Sequence, residues 1–125
     1  MRYEVQTAEG AWVVGDERRL RRLAENLLEN AGRHARSAVR VAVAAESDRI
    51  ALWVEDDGDG VPPALRERIF ERFVRAQDDG AGSGLGLAIC RAIARAHGGD
   101  VVLEGTSRFV ARLPRFPMHE EMSEV

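Results

Sequence analysis

The chain has 125 residues, 45% of them hydrophobic and 31% charged, with a formal net charge of −3, which predicts one globular domain and gives no reason to expect a nucleic acid partner. All 18 residues of the combined lysine and arginine count are arginine, and a chain without lysine excludes a P-loop nucleotide site. The single cysteine, Cys90, excludes a disulfide framework, and no apolar run approaches the roughly 20 residues that span a bilayer, so we expect a cytoplasmic domain.

In chain order, the first half of the sequence predicts a hairpin, a long helix and a second hairpin. Tyr3–Thr7 and Ala11–Val14 are predicted as strands around an Ala-Glu-Gly turn. A helix follows that Asp16 caps and that continues to about Arg36. The second hairpin is predicted over the two apolar or alternating segments Ala38–Ala45 and Arg49–Glu55.

The second half predicts two helices and a closing hairpin. A short helix opens at Pro62-Pro63 and continues through Arg68, and a long apolar helix covers Leu85–His97 and stops at Gly98-Gly99. The closing strands are Asp100–Glu104 and Arg108–Leu113. Because the strands come in hairpins, we predict an α+β fold, a two-layer sandwich whose mixed, mostly antiparallel sheet has helices packed on one face. The domain is predicted over residues 1–114, with 115–125 as a flexible tail.

A polar stripe borders the apolar face of the first long helix. On a helical wheel, Asn26, Asn30 and Arg33 fall within about 60°, with His34 nearby. They flank an apolar arc formed by Leu20, Leu23, Ala24, Leu27, Leu28, Ala31 and Ala35. One interpretation is that the amides satisfy neighbouring backbone groups. The other is that they lie under a ligand, where amide oxygens bind Mg²⁺ and Arg33 faces phosphate.

A first glycine loop, Asp56-Asp57-Gly58-Asp59-Gly60, follows the strand that ends near Glu55. Its glycines allow a flat ligand to approach the backbone. A carboxylate there accepts a hydrogen bond from the exocyclic amine of adenine, whereas guanine presents a carbonyl, so this arrangement favours ATP over GTP. The alternatives are an acidic turn or a calcium loop, and Pro62-Pro63 interrupts the calcium pattern.

A second glycine loop runs directly into the apolar helix, as Gly82-Ser83-Gly84-Leu85-Gly86-Leu87. Free backbone N–H groups at a helix start bind anions without lysine. The alternative is a flexible hinge. A dinucleotide-binding loop would need a preceding strand, and the sequence of residues 77–81 does not predict one.

These segments resemble the four sequence boxes of histidine kinases. Asn26-Leu-Leu-Glu-Asn30-Ala-Gly-Arg33-His34 resembles the N box and Asp56–Gly60 the G1 box, while Ile69-Phe70-Glu-Arg-Phe73-Val-Arg75 resembles the F box and Gly82–Leu87 the G2 box. All four occur in family order across residues 1–114. The chain is thus similar to the ATP-binding catalytic domain, with a Bergerat fold, of a bacterial two-component sensor histidine kinase.

The resemblance implies ATP and Mg²⁺ as cofactors. Asn30 would be the metal ligand, Asp56 would read adenine, and Asn30, Arg33 and Arg75 would serve catalysis. The nucleotide contacts it implies are Asn26, Asn30, Arg33, His34, Asp56, Gly58, Gly60, Val61, Phe73, Gly82, Ser83, Gly84, Leu85, Gly86 and Leu87. Residues 77–83 would be a lid that is shorter than usual. The sequence also departs from the family pattern at His34, where an aromatic residue is common, and at the short Thr106-Ser107 turn.

The resemblance also implies what the domain lacks. In related ATPases a glutamate activates water at the position of Asn26, and Glu25 and Glu29 lie about 100° away on the wheel. None of the three histidines, His34, His97 and His119, lies in a phosphoacceptor helix. We therefore expect a monomeric domain whose partners are ATP, the dimerisation and phosphoacceptor helices of a membrane-anchored kinase and, indirectly, a response regulator. The alternatives are an anti-sigma-factor serine kinase, which the F box disfavours, and a degenerate nucleotide-binding module.

Overall fold

Two helices cover one face of a five-stranded sheet in the computed structural model, which describes residues 1–72 and 86–116. The elements are β1 (Arg2–Gln6), α1 (Glu17–His34), β2 (Ala38–Ala45), β3 (Arg49–Asp56), a 3-10 turn (Pro63–Leu65), α2 (Gly86–Ala96), β4 (Asp100–Glu104) and β5 (Arg108–Pro114). The strand order is β1-β2-β3-β5-β4, with β1 parallel to β2 and the other neighbours antiparallel. The predicted two-layer α+β sandwich is confirmed.

The predicted amino-terminal hairpin is wrong. Residues 11–14 form no strand, and β1 pairs in parallel with β2, from Arg2 beside Ala38 to Gln6 beside Ala42. Because only residues 35–37 join α1 to β2, α1 must begin at the end of the sheet where β1 finishes. A second strand over residues 11–14 would return the chain to the opposite end. This segment instead crosses toward α1, and the Trp12 carbonyl accepts a hydrogen bond of 2.7 Å from the N–H of Phe116.

The helices begin and end close to the predicted positions. The Asp16 side chain caps α1 by accepting a hydrogen bond of 3.2 Å from the N–H of Arg19. Gly98, with φ of +86°, follows α2 as predicted for a helix stop. The short helix predicted through Arg68 is only a 3-10 turn followed by further turns. Neither helix described here is both long enough and apolar enough to cross a bilayer.

The core lies between the helices and one face of the sheet. From α1 it takes Leu23, Leu27 and Ala31, which confirms the centre of the predicted apolar arc. The helix-facing sides of β2, β3 and β5 contribute Val39, Val54 and Phe109, among others. From α2 the core takes Cys90, Ile93 and Ala94. Cys90 is 0% exposed, as expected of a small buried hydrophobic residue.

Candidate functional site

Two polar residues, Asn30 on α1 and Asp56 at the end of β3, are buried in the part of the chain that the structure describes. Asn30 is 7% exposed and Asp56 is 8% exposed. Asp56 pairs with Val39, so its side chain is on the helix-facing side of the sheet. Burying an amide or a carboxylate costs free energy unless the group has a partner. The sequence predicted a ligand for both side chains.

The loop that follows β3 folds back onto Asp56. The N–H of Gly58 donates a hydrogen bond of 2.8 Å to Oδ1 of Asp56. A Cβ at Gly58 would overlap the carbonyl oxygen of His34, the last residue of α1, so only glycine fits there. The loop thus brings Asp56 to the carboxyl-terminal end of α1, about one helical turn beyond Asn30.

The far side of the same loop rests on the turn between β4 and β5. The N–H of Val61 donates to the carbonyl of Thr106 at 2.7 Å. Gly60 has φ of +81°, and a Cβ there would lie 2.7 Å from Cβ of Thr106. The short Thr106-Ser107 turn, predicted only as a departure from the family, is therefore the support of this loop.

Asp57 binds the segment that connects α1 to β2. Its Oδ1 accepts hydrogen bonds from the N–H groups of Arg36 at 2.8 Å and Ser37 at 3.0 Å. Its Oδ2 accepts one from the Ser37 hydroxyl at 2.7 Å. The neighbouring Asp59 forms an exposed ion pair with Arg36. Consecutive acidic residues thus face different parts of the molecule.

The helix α2 runs antiparallel to α1. At one end, Nε2 of His97 accepts a hydrogen bond of 3.1 Å from the N–H of Asp16, the cap of α1. Midway along, Sγ of Cys90 lies 3.5 Å from the carbonyl of Leu23. One turn before Cys90 along α2 corresponds to one turn after Leu23 along α1. Gly86, the first residue of α2, therefore lies beside the Asn26–Asn30 segment. A helix amino terminus therefore opens beside the polar stripe, and its N–H groups and dipole favour an anion there.

The two neighbouring carboxylates of the loop have opposite electrostatic environments. Burial raises the pKa of Asp56, against the opposing effects of the Gly58 N–H and the charge of His34. The hydroxyl and N–H of Ser37 hold the pKa of Asp57 well below its usual range. Asp57 is thus stabilised as an anion by the protein itself. Asp56 is the carboxylate whose charge is less well compensated, which suits a group that meets a ligand's hydrogen-bond donor.

The structure brings together the part of the predicted site that it describes. Asn26 and His34 are partly buried, Asn30 is buried, and Arg33 is exposed at the same end of α1. Asp56, Gly58, Gly60 and Val61 form the loop beside them, and Gly86 and Leu87 begin α2. Other predicted residues lie outside the described residues, namely Phe73, Arg75, Gly82, Ser83, Gly84 and Leu85.

Sequence reasoning missed the residues that hold the loop in place. Asp57, Ser37 and Thr106 form hydrogen bonds to or from it. The available signal was the pair Asp56-Asp57 at the end of β3. Because successive side chains of a strand point to opposite sides of the sheet, only one of these two carboxylates can face the helices. No comparable signal pointed to Thr106, because its role depends on how two distant turns meet.

The sequence profile of the family described as "Histidine kinase-, DNA gyrase B-, and HSP90-like ATPase" matches residues 15–117 of this chain. The chain belongs to this family. It is 40% identical over 124 residues to "Sensor histidine kinase TrcS" of Mycobacterium tuberculosis, an alignment that covers 90% of the chain and 24% of that protein. It is 44% identical over 97 residues to "Sensor protein RstB" of Escherichia coli, covering 74% of the chain and 22% of that protein.

Solved structures of the family have the same fold. The structure of "Mycobacterial sensor histidine kinase MprB" superimposes with a TM-score of 0.81 at 32% identity, covering 94% of the chain and 83% of that chain. The ATP binding domain of PrrB from Mycobacterium tuberculosis gives a TM-score of 0.71 at 29% identity, covering 91% and 81%. The chain spans less than a quarter of the length of TrcS or RstB. It is an ATP-binding catalytic domain of the sensor histidine kinase type. Because TrcS and MprB are sensor histidine kinases, the serine kinase alternative is not favoured.

Proposed function

We propose that this domain binds Mg²⁺·ATP and donates the γ-phosphate to a histidine on a separate helical domain. The observation that carries the proposal is the burial of Asn30 and Asp56 on either side of the junction between α1 and the β3 loop. A buried amide and a buried carboxylate at one junction fit the two polar ends of a nucleotide, its metal-bound phosphates and its base.

Asp56 would select adenine. In the part of the chain that the structure describes, its Oδ1 accepts the Gly58 N–H, and Oδ2 is the oxygen left for the exocyclic amine. Guanine would present a carbonyl oxygen to this carboxylate, and two acceptors repel. Gly58 and Gly60 keep side chains out of the loop, so the base can approach the backbone closely.

Asn30 would hold Mg²⁺ together with the phosphates. No cluster of three histidine, cysteine or acidic side chains in the described residues could hold a metal ion. A single buried amide oxygen suits Mg²⁺, which takes few protein ligands and completes its shell with phosphate oxygens and water. When bound, the ion would neutralise phosphate charge. Asn26 and Arg33, with Arg75 and the Gly82–Leu87 backbone, would contact the phosphates, so that catalysis is positioning and charge stabilisation.

Among the described residues of α1, no side chain is placed as a base to activate water. Asn26 occupies the position one turn before Asn30, and Glu25 and Glu29 are exposed on α1. Transfer to a better nucleophile is therefore favoured over hydrolysis. A neutral imidazole nitrogen would attack the γ-phosphorus as the bond to the bridging oxygen breaks, forming a phosphorus–nitrogen bond and releasing ADP.

The acceptor would lie on another domain. Both ring nitrogens of His97 are engaged, with Nδ1 2.8 Å from the carbonyl of Ile93 and Nε2 accepting from Asp16. His34 abuts the loop at Gly58, and His119 lies outside the described residues. We infer that the whole kinase supplies dimerisation and phosphoacceptor helices, is membrane-anchored with this domain in the cytoplasm, and passes the phosphate to a response regulator, while the isolated domain is a monomer.

Mixing the domain with a helical phosphoacceptor domain and γ-labelled ATP tests the proposal. We expect transfer to yield phosphate that is labile in acid and stable in base, as for phosphohistidine. Acid-stable label would indicate a serine acceptor, and ATP binding without transfer would indicate a regulatory module. Asn30→Ala should abolish the Mg²⁺-dependent transfer while metal-free nucleotide binding persists. Full activity of this variant would refute the metal assignment.

A further inference from the structure

The loop that carries Asp56 has little intrinsic reason to keep one conformation. Two of its residues, Gly58 and Gly60, are glycines, which restrict the backbone least. Asp59, between them, is exposed. Yet a nucleotide that spans Asp56 and Asn30 binds well only if these two side chains keep a fixed separation. Something in the fold must therefore fix the loop against the end of α1.

Asp57 makes the contacts that do this. Its carboxylate accepts three hydrogen bonds, all from Arg36 and Ser37 in the connection after α1. Its own N–H donates to the carbonyl of Ala38 at 3.3 Å, which extends the β2–β3 pairing one residue beyond Asp56. A single residue thus joins the end of β3, the start of β2 and the exit of α1.

Among the described residues, the donors of the α1–β2 connection favour the placement of Asp57. The carboxyl-terminal end of a helix carries a partial negative charge, so a carboxylate is disfavoured beside it. Both oxygens of Asp57 accept hydrogen bonds from the protein. Its hydrogen bonds to the connection account for its position.

We propose that Asp57 is a positioning residue, which holds the carboxylate of Asp56 at a fixed place relative to Asn30 by binding the α1–β2 connection. The inference rests on the proposed function, in which Asp56 reads adenine. Asp57 touches neither the base nor the phosphates, and its effect on binding passes through Asp56.

The test compares ATP with inosine triphosphate, whose base presents a carbonyl where adenine has its amine. Calorimetry on the 125-residue chain measures both dissociation constants, and urea denaturation measures stability. For Asp57→Ala we expect the Kd for ATP to rise about tenfold, equivalent to about 1.4 kcal/mol, while the Kd for inosine triphosphate changes less than about threefold. Discrimination between the two bases therefore falls.

Three further variants make the test specific. Asp57→Asn keeps an oxygen for the two backbone N–H groups and should restore most of the discrimination. Ser37→Ala removes one hydrogen bond and should reduce the ratio of the two dissociation constants by about half a log unit, or about threefold. Asp59→Asn removes the same charge from the same loop and should leave the ratio of the two constants within about twofold, because its ion pair with Arg36 is exposed.

An equal loss of affinity for both nucleotides in Asp57→Ala would overturn the positioning role and leave only a structural one, as would an unchanged ratio. If Asp57→Ala fails to fold, the ratio in Ser37→Ala decides in the same way. If the wild-type domain binds ATP no better than inosine triphosphate, the proposed recognition of adenine by Asp56 is wrong. This result differs from those that would overturn the positioning role of Asp57, so the two proposals can fail separately.

Discussion

Replacing Asp56 with asparagine should separate nucleotide affinity from stability, because it changes charge while keeping shape. The asparagine oxygen can still accept the N–H of Gly58, which holds Oδ1 of Asp56 at 2.8 Å. The NH₂ group then takes the place of Oδ2 and faces the adenine amine, donor against donor. The hydrogen bond that the ligand would make to a charged acceptor is lost.

The two observables move in opposite directions. A hydrogen bond to a charged group contributes about 1.5–3 kcal/mol, so the Kd for ATP should rise about tenfold to 150-fold. Burial raises the pKa of Asp56 in the folded chain above its unfolded value. The stability that this carboxyl contributes is therefore fully present below the unfolded pKa and is lost as pH rises through the folded pKa. At neutral pH the ionised group lowers stability, and Asp56→Asn should remove that penalty.

Calorimetry and urea denaturation at pH 7 measure the two effects, with Asp59→Asn as a control that removes one charge from the same loop. Repeating the titration at lower pH adds a second check. Protonation of Asp56 converts an acceptor into a donor, so wild-type affinity should fall with pH by an increment that is missing in Asp56→Asn. A variant that binds ATP as tightly as the wild type would contradict the assignment of Asp56 to adenine, and one that loses stability at pH 7 would contradict the raised pKa of Asp56.

Three further predictions concern positions around the site. Gly58→Ala should destabilise the domain by about 1–3 kcal/mol through overlap with His34. Gly86→Ala should not, because no atom of the described residues outside its own helix backbone lies within 4 Å of the new Cβ; equal unfolding midpoints would contradict this. Burial raises the pKa of Cys90 to about 12, so the native protein should resist thiol reagents at pH 8. The free energy of unfolding should decrease as pH rises from about 8.5, the ordinary thiol pKa, toward 12. This decrease should be absent in Cys90→Ala. Rapid labelling of folded protein would count against it. His97→Ala loses its contacts with Ile93 and Asp16 and should lower the free energy of unfolding by about 1–3 kcal/mol. The Kd for ATP should not change, because His97 lies beside the start of α1, at the opposite end from Asn30. A changed Kd would show that the two ends of α1 are energetically coupled.

The sequence predicted well wherever local patterns were strong. The Asp16 cap, the Leu23-Leu27-Ala31 face of α1 and the glycine stop after α2 all follow from interactions within a few residues. The site residues could be chosen for a related reason. Asn30 lies in a polar stripe beside the apolar face of α1 and Asp56 begins a glycine loop at a strand end, and the structure shows both buried.

What the sequence did not predict depends on contacts between distant segments. Residues 11–14 have an apolar pattern that suits a strand, but the parallel pairing of β1 with β2 leaves no place for one. The role of Thr106 depends on the approach of the β4–β5 turn to a loop more than 40 residues earlier. Neither relation has a local sequence signal.

The burial of Asn30 and Asp56 also explains why the loop needs its supports. Each side chain occupies a place where an apolar residue would add to the core, beside Ala31 in one case and in line with Val54 in the other. Proteins break such folding rules at functional sites and compensate nearby. The compensation here is the Gly58 N–H on Asp56, the Thr106 carbonyl under Val61 and the three donors on Asp57. If Asn30 and Asp56 bind one nucleotide as proposed, their separation would be fixed in part by Asp57 and Thr106, which lie outside the predicted ligand contacts.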